Sequence, residues 1–274
     1  MAKLEFQDFA IKTLQIDIDK LKKREKRAHL GLSEVGHECK RYVWYGFRWC
    51  YDEFISERIL RIFDTGSQAE VFMINSLTHA GYIVTLMQHE IECNMGHGHV
   101  LGHIDGVLTG NGLEEPHLLE MKTANDSNFK QISKKGVRQA KRGHYNQMQM
   151  YMGKMNLNYG FYMCYNKNDS SYYIEIIKFN PSIYHELNAV SFDTITSDFP
   201  PDKIGDATWF ECKYCPAKGI CHEGEEVSMN CRTCQHINIE EAGQWSCSIK
   251  NRNLSTSEQR IGCRQYELNI YLEN

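Results

Sequence analysis

The sequence predicts an α/β domain with a cysteine-rich metal-binding module at its C-terminal end. Three observations carry this. Strand-like apolar runs and helix-period segments follow one another in mixed order. The 274 residues, 42% apolar and 24% charged, are enough to bury a sizeable core. The composition changes after Trp209, where the cysteine-rich end begins.

Residues 1–30 are polar, with apolar residues near helical spacing and a basic run of Lys20, Lys22, Lys23, Arg24, Lys26 and Arg27. They read as a basic helical segment, which a solvated helix face explains as well as a binding face. An aromatic stretch runs from Cys39 through Trp49. Gly66 is expected to open a helix with the apolar stripe Ala69, Phe72, Met73 and Leu77, ended by Gly81. Residues 82–93 read as one strand, 99–108 as a second and 117–123 as a third, with turns at 94–98 and 109–112. Residues 137–155 have helical character. Residues 158–166 and 171–178 form an aromatic hairpin around Asn166-Lys-Asn-Asp169, and residues 182–198 suit another helix. The expected organisation is an N-terminal basic segment at 1–30, a main domain at 31–222 and a small module at 223–274.

The net charge of −4 excludes a uniformly basic nucleic-acid coat but permits a local basic face. No apolar run approaches the ~18 residues of a membrane span. The opening Met-Ala-Lys-Leu-Glu lacks an apolar signal segment, and eleven cysteines in that setting suit metal better than disulfides. A cytoplasmic location is therefore expected, that of a host cell if the chain is phage-encoded, with no membrane partner.

Asp105 lies late in the second strand, in Gly-His-Ile-Asp-Gly-Val. Glu120 and Lys122 lie in the third, in Leu-Leu-Glu-Met-Lys-Thr. Side chains alternate along a strand, so Glu120 and Lys122 share a face and Met121 points to the other. If the strands pair through the glycine-containing turn, Asp105 sits beside Glu120. Two close carboxylates repel unless a cation lies between them. Oxygen-only ligands favour Mg²⁺ or Mn²⁺, and a neighbouring lysine orients water or stabilises charge on a phosphoryl group. Ordinary strand-edge charges are the plainer reading of so short a pattern. The apolar flank of Leu118 and Leu119 weighs against it, because unpaired charge there is costly.

Between residues 122 and 142 there are seven Lys/Arg and one acidic residue. Lys134, Arg138, Lys141 and Arg142 would share a face if the segment is one helix. The stretch from Lys20 to Arg48 carries nine Lys/Arg against three acidic residues. Basic regions flanking an acidic site suit gripping phosphates, although solvated faces look the same in sequence. Tyr42, Trp44, Tyr45, Phe47 and Trp49 suit either base stacking or a core. His103, two residues before Asp105, reads as a packed or hydrogen-bonded strand histidine. Cys93 and Cys164, in strands, read as small buried hydrophobes.

Four motifs in order resemble the PD-(D/E)XK nuclease superfamily, in its RecB-like and lambda-exonuclease-like branch. They are Gly66-Ser-Gln-Ala-Glu70, Gly-His-Ile-Asp105-Gly, Leu-Glu120-Met-Lys122-Thr and Gln147-Met-Gln-Met-Tyr151, and the resemblance spans roughly residues 33–221. It implies a restriction-endonuclease-like core, a central mixed sheet flanked by helices. It further implies that Glu70, Asp105, Glu120 and the carbonyl of Met121 ligate Mg or Mn, that Lys122 is the catalytic lysine, and that Gln147 and Tyr151 position DNA. Many RecB-like members have histidine where this chain has Glu70. The implied activity is a deoxyribonuclease, chiefly an exonuclease, acting on single strands or duplex ends in recombination, repair or phage genome processing, with a recombination or replication protein as possible partner. The alternatives are a non-catalytic DNA-binding or assembly subunit and a CRISPR-adaptation-like trimming nuclease.

Cys212-Lys-Tyr-Cys215-Pro-Ala-Lys-Gly-Ile-Cys221 places three thiolates in ten residues. A closed site needs a fourth, for which Cys39 is the best remote candidate and Cys50 the alternate. This resembles the split iron–sulfur arrangement of the AddB nuclease domain and implies a 4Fe–4S cluster; structural zinc is the alternative. Cys231-Arg-Thr-Cys234 with Cys247 and Cys263 follows zinc-ribbon logic, with His236 a possible substitute ligand. A module poor in aliphatics needs such a staple. Residues 222–274 carry five Lys/Arg against eight Asp/Glu, which disfavours direct phosphate binding.

Overall fold

The structure is a computed structural model that describes residues 26–52, 55–93 and 96–272. Most of the N-terminal basic segment, including Lys20 to Arg24, lies outside the described residues. In chain order, the elements are β1 (Leu30–Gly31), α1 (Leu32–Val35), α2 (Lys40–Phe47), α3 (Glu57–His79), β2 (Tyr82–Thr85), β3 (Glu90–Glu92), β4 (Val100–His103), β5 (Gly106–Gly110) and β6 (His117–Ala124). There follow α4 (Asp126–Lys135), α5 (Val137–Ala140), α6 (Arg142–Met155), β7 (Tyr159–Asn166), β8 (Tyr172–Lys178) and α7 (Pro181–Thr196). The C-terminal part holds α8 (Phe210–Lys213), α9 (Lys218–His222), β9 (Ile237–Ile239), β10 (Trp245–Cys247), β11 (Arg252–Asn253) and α10 (Thr256–Ile261).

Among the described residues the main sheet has five strands in the order β2-β5-β6-β7-β8. It is mixed: β6 and β7 run parallel, and the other pairs are antiparallel. Helices cover both faces. On one, Ala69, Met73 and Leu77 of α3 pack against Leu119, Met121, Phe161 and Met163. On the other, Met148 and Met152 of α6 and Leu187 of α7 pack over Leu118, Tyr162, Cys164 and Ile177. Burial from both sides is why β6 shows little polar alternation. A smaller sheet, β1-β4-β3, abuts it, and a third, β11-β10-β9, lies in the C-terminal part.

The hairpin at β7–β8, the strand β6 and the helix α7 match the sequence expectations closely. Three elements differ. Residues 82–93 form two strands in different sheets, because Leu86 and Gln88 take positive φ and turn the chain. Residues 99–108 likewise split after His103, with β4 and β5 in different sheets. Helix α3 starts at Glu57, nine residues before Gly66, which therefore lies inside it. Gly81 does follow its end, at φ +90.

The predicted helix over 137–155 is interrupted. Gly136 (φ 75) ends α4, and Lys141 (φ −141, ψ 68) separates α5 from α6. Lys134, Arg138, Lys141 and Arg142 are thus not one helix face. Lys134 closes α4, Arg138 lies on α5, Lys141 is the junction and Arg142 opens α6.

The aromatic stretch is core. Trp44, Tyr45, Phe47 and Trp49 are all buried, and Tyr42 packs against them partly buried. Arg48 is buried too, with its guanidinium donating to the carbonyls of Thr194, Ile195 and Ser197. Lys26, Lys40 and Arg41 donate to the carbonyls of Tyr51, Val35 and Pro201. Lys26, Lys40, Arg41 and Arg48 therefore serve the fold, and the buried rings of Trp44, Tyr45, Phe47 and Trp49 offer no stacking surface.

Arg232 joins the C-terminal segment to the residues before it. Its guanidinium lies 3.7 Å from the Trp49 ring centre and 4.5 Å from that of Trp245. It donates to the carbonyls of Ala28 and Phe47 and to Oε1 of Gln259. No helix among the described residues is long and apolar enough to cross a membrane.

Candidate functional site

The break between β4 and β5 makes the site. The antiparallel register pairs Gly106 with Leu119, so one residue further Asp105 lies opposite Glu120. Asp105 Oδ2 accepts the backbone N–H of Met121 at 2.6 Å, which fixes the carboxylate across the strands. Glu120 and Lys122 share the α6 side of β6, and the two form an ion pair through Oε1. The Met121 side chain lies on the opposite face, buried against α3. Glu70 reaches the same place from α3: Asp105 and Lys122 both act on its charge.

The electrostatics follow from three carboxylates facing one ammonium. Glu120 is wholly buried, and burial is the main cause of its raised pKa; Lys122 opposes the rise, while Asp105 and Glu70 add to it. Burial also raises the pKa of Asp105, against Lys122 and the Met121 N–H. Glu70 is raised by burial and then by Asp105. For Lys122, burial disfavours the ammonium, but Glu120 and Asp105 outweigh it and hold the charge on. Oε2 of Glu120 is buried without a hydrogen-bond partner. A buried carboxylate oxygen left in that state is costly. A cation in the site would remove both this cost and the mutual repulsion, so the donor set fits Mg²⁺ or Mn²⁺.

Helix α6 supplies the opposite wall. Tyr151 is 2% exposed and is acted on by Glu120, Lys122 and Asp105; its hydroxyl is held protonated by burial, and Gln147 hydrogen-bonds it. The fit is close. A Cβ on Gly102 of β4 would stand 2.5 Å from the Tyr151 hydroxyl, so the glycine there is required by the approach of the tyrosine. The four motif elements are thus brought together.

His144 was not singled out by sequence. It precedes Gln147 by three residues and Tyr151 by seven, which puts all three on one face of α6. Its Nδ1 lies 2.9 Å from the hydroxyl of buried Tyr162, the register neighbour of Glu120 on β7. The available signal was this helical spacing upstream of the Gln-Tyr pair. His103, by contrast, is exposed and faces Glu90 across β3–β4 at 3.6 Å, apart from the carboxylate group.

The basic residues sit beyond this wall. Arg138 and Arg142 both lie over the Tyr145 ring, at 5.6 and 5.7 Å. Lys141 donates to Oδ1 of Asn128 and acts on His144. Lys134 lies in the last turn of α4.

The cysteines form two further groups. Cys39, Cys212, Cys215 and Cys221 line one cavity, with Arg41, Tyr42, Tyr45 and His222 around it. Cys39 caps α2, its sulfur accepting the Tyr42 N–H at 3.4 Å. Cys50 does not line the cavity; it is fully buried in the small core beneath, where its thiol is pushed up to about 12 by burial. Cys231, Cys234, Cys247 and Cys263 line a second cavity with His236 and Lys250. The remaining two, Cys93 and Cys164, are buried, the first donating to Asn188. Burial, and then the neighbouring cysteines, raise the pKa of Cys212, Cys215 and Cys231. Among the described residues, however, no set of three or more His, Cys, Asp or Glu side chains is drawn in to the spacing of a formed metal site.

No family model matches the chain, and no curated protein matches it. Solved structures similar to it include an alkaline exonuclease from Laribacter hongkongensis, at 15% identity and a TM-score of 0.46 over 62% of this chain and 87% of that one. The same exonuclease in complex with dAMP matches at 13% identity and a TM-score of 0.46, over 61% and 86%. SSO0001 matches at 18% identity and a TM-score of 0.42, over 78% and 96%. Values this low bear on neither activity nor substrate.

Proposed function

We propose that the protein is a divalent-metal-dependent DNA nuclease that hydrolyses phosphodiester bonds, chiefly as an exonuclease. The observation that carries this is the meeting of Glu70, Asp105 and Glu120 around Lys122, with Glu120 Oε2 buried and unpartnered. Glu70, Asp105, Glu120 and the Met121 carbonyl would hold the cation. Bound Mg²⁺ or Mn²⁺ supplies Lewis acidity toward the phosphate and lowers the pKa of attacking water. Lys122, kept charged by its carboxylate neighbours, stabilises negative charge developing on the phosphoryl oxygens. Gln147 and Tyr151 line the wall against which the DNA backbone is positioned. Arg138 and Arg142 beside Tyr145, with Lys134 and Lys141, supply phosphate contacts that do not read sequence.

The cysteine groups are assigned metals on their donor sets. Cys39, Cys212, Cys215 and Cys221 hold a 4Fe–4S cluster, and Cys231, Cys234, Cys247 and Cys263 hold zinc. Four thiols lining one cavity, one buried and three half-buried in each group, fit a metal centre because thiolates so close repel without one. The first centre would join α2 to the segment after α7, closing the domain.

The test is digestion of end-labelled single- and double-stranded DNA with Mg²⁺ or Mn²⁺. Cleavage is expected from the wild type and none from Lys122→Ala. Metal-independent cleavage, or full activity in that variant, removes the proposal.

A further inference from the structure

The observations around His144 reach beyond the four motifs. The ring is held at one nitrogen, Nδ1, by the hydroxyl of Tyr162, which is itself 0% exposed and stacked near it at 5.9 Å. The Tyr162 hydroxyl and Nδ1 share one hydrogen bond. Where the hydroxyl donates it, the ring's own N–H lies at Nε2. Two ammonium groups act on the ring, Lys122 of the carboxylate site and Lys141 at the head of α6. His144 is only partly buried, unlike Tyr162. A ring N–H subject to two cations is a poor place for another positive charge and a good one for an anion.

Resting on the nuclease reading above, we propose that His144 contacts the substrate: its Nε2–H donates to a non-bridging oxygen of the DNA phosphate lying between Lys122 and Lys141. Tyr162 acts through it as a positioning residue, holding the ring so that Nε2 faces the backbone. The arrangement extends the phosphate track from the Arg138–Arg142 side to the catalytic lysine.

The test is DNA binding by fluorescence anisotropy in Ca²⁺, with oligonucleotides carrying one neutral methylphosphonate at successive positions. His144→Ala is expected to weaken binding roughly tenfold, a charge-assisted hydrogen bond lost. The methylphosphonate that costs the wild type most should cost His144→Ala nothing further. His144→Gln, which keeps an N–H donor near Nε2, should recover most of the affinity. Tyr162→Phe should fall between them. In steady-state cleavage His144→Ala should raise KM more than it lowers kcat. Unchanged binding in His144→Ala overturns the proposal. So does a loss that adds fully to every methylphosphonate, which would mark a purely structural role. A wild type that binds no DNA removes the nuclease reading as well, whereas wild-type binding and cleavage with His144 indifferent removes this proposal alone.

Discussion

Asp105 Oδ2 accepts the Met121 N–H at 2.6 Å, tying the break after β4 to the middle of β6. One carboxylate thus fixes the register of the site and adds to the negative charge around Glu120. The two roles separate in mutants. Asp105→Asn keeps an acceptor for Met121 but removes the charge. It should lose cleavage by about a hundredfold or more while melting no lower than wild type. Asp105→Ala should lose cleavage and also melt lower. Rates on labelled DNA and thermal unfolding of both variants check this.

Arg232 is the second such relationship. It lies between Trp49 and Trp245 and serves the carbonyls of Ala28 and Phe47. Arg232→Ala would leave those acceptors buried and unpaired, along with Gln259 Oε1, and open a gap between two indoles. A loss of about 3 kcal/mol is expected by urea unfolding. Arg232→Lys, which cannot span three acceptors, should recover only part of it.

The His144 ring has its pKa pushed down to about 3, first by burial and then by Lys122 and Lys141. It should stay neutral from pH 8 to pH 5, visible as ring proton shifts in NMR that do not titrate. The sign for stability follows. The unfolded chain takes up this proton near pH 6.5 and the folded chain does not until about 3, so stability is full above 6.5 and falls as the pH drops between those values. The limiting slope is about 1.4 kcal/mol per pH unit for one such group. His144→Gln should flatten that part of the acid limb, measured as unfolding free energy against pH.

Metal content separates the two cysteine groups. Anaerobically purified protein should contain about four iron atoms and one zinc per chain. Cys39→Ser should lose iron and keep zinc, and Cys263→Ser should do the reverse. Cys50→Ser should change neither, since Cys50 stands apart from both cavities. Elemental analysis with visible absorption reads each outcome.

The sequence by itself determined the elements whose pattern is local. The apolar strand holding Glu120 and Lys122 on one face, the hairpin of β7 and β8, and the one-turn spacing of Gln147 and Tyr151 need only periodicity and turn residues. The spacing of Cys212, Cys215 and Cys221, and that of Cys231 and Cys234, is likewise local. Tertiary structure decided what depends on distant partners. Residues 82–93 and 99–108 alternate like long strands, and only pairing with different sheets breaks each in two, which leaves Asp105 in the gap between β4 and β5. The choice of Cys39 over Cys50 for the first cavity turns on packing, for both are cysteines of the same short stretch. For the aromatic rings core is the more frequent reading of such a run and base stacking the alternative, and α7 with the carbonyls that follow it, closing over Arg48, decides for the core. His144 acquires its setting from Tyr162, Lys122 and Lys141, three residues on three different segments. Periodicity encodes which face a residue takes, whereas the field it sits in is the sum of charges and burial that only the folded chain assembles.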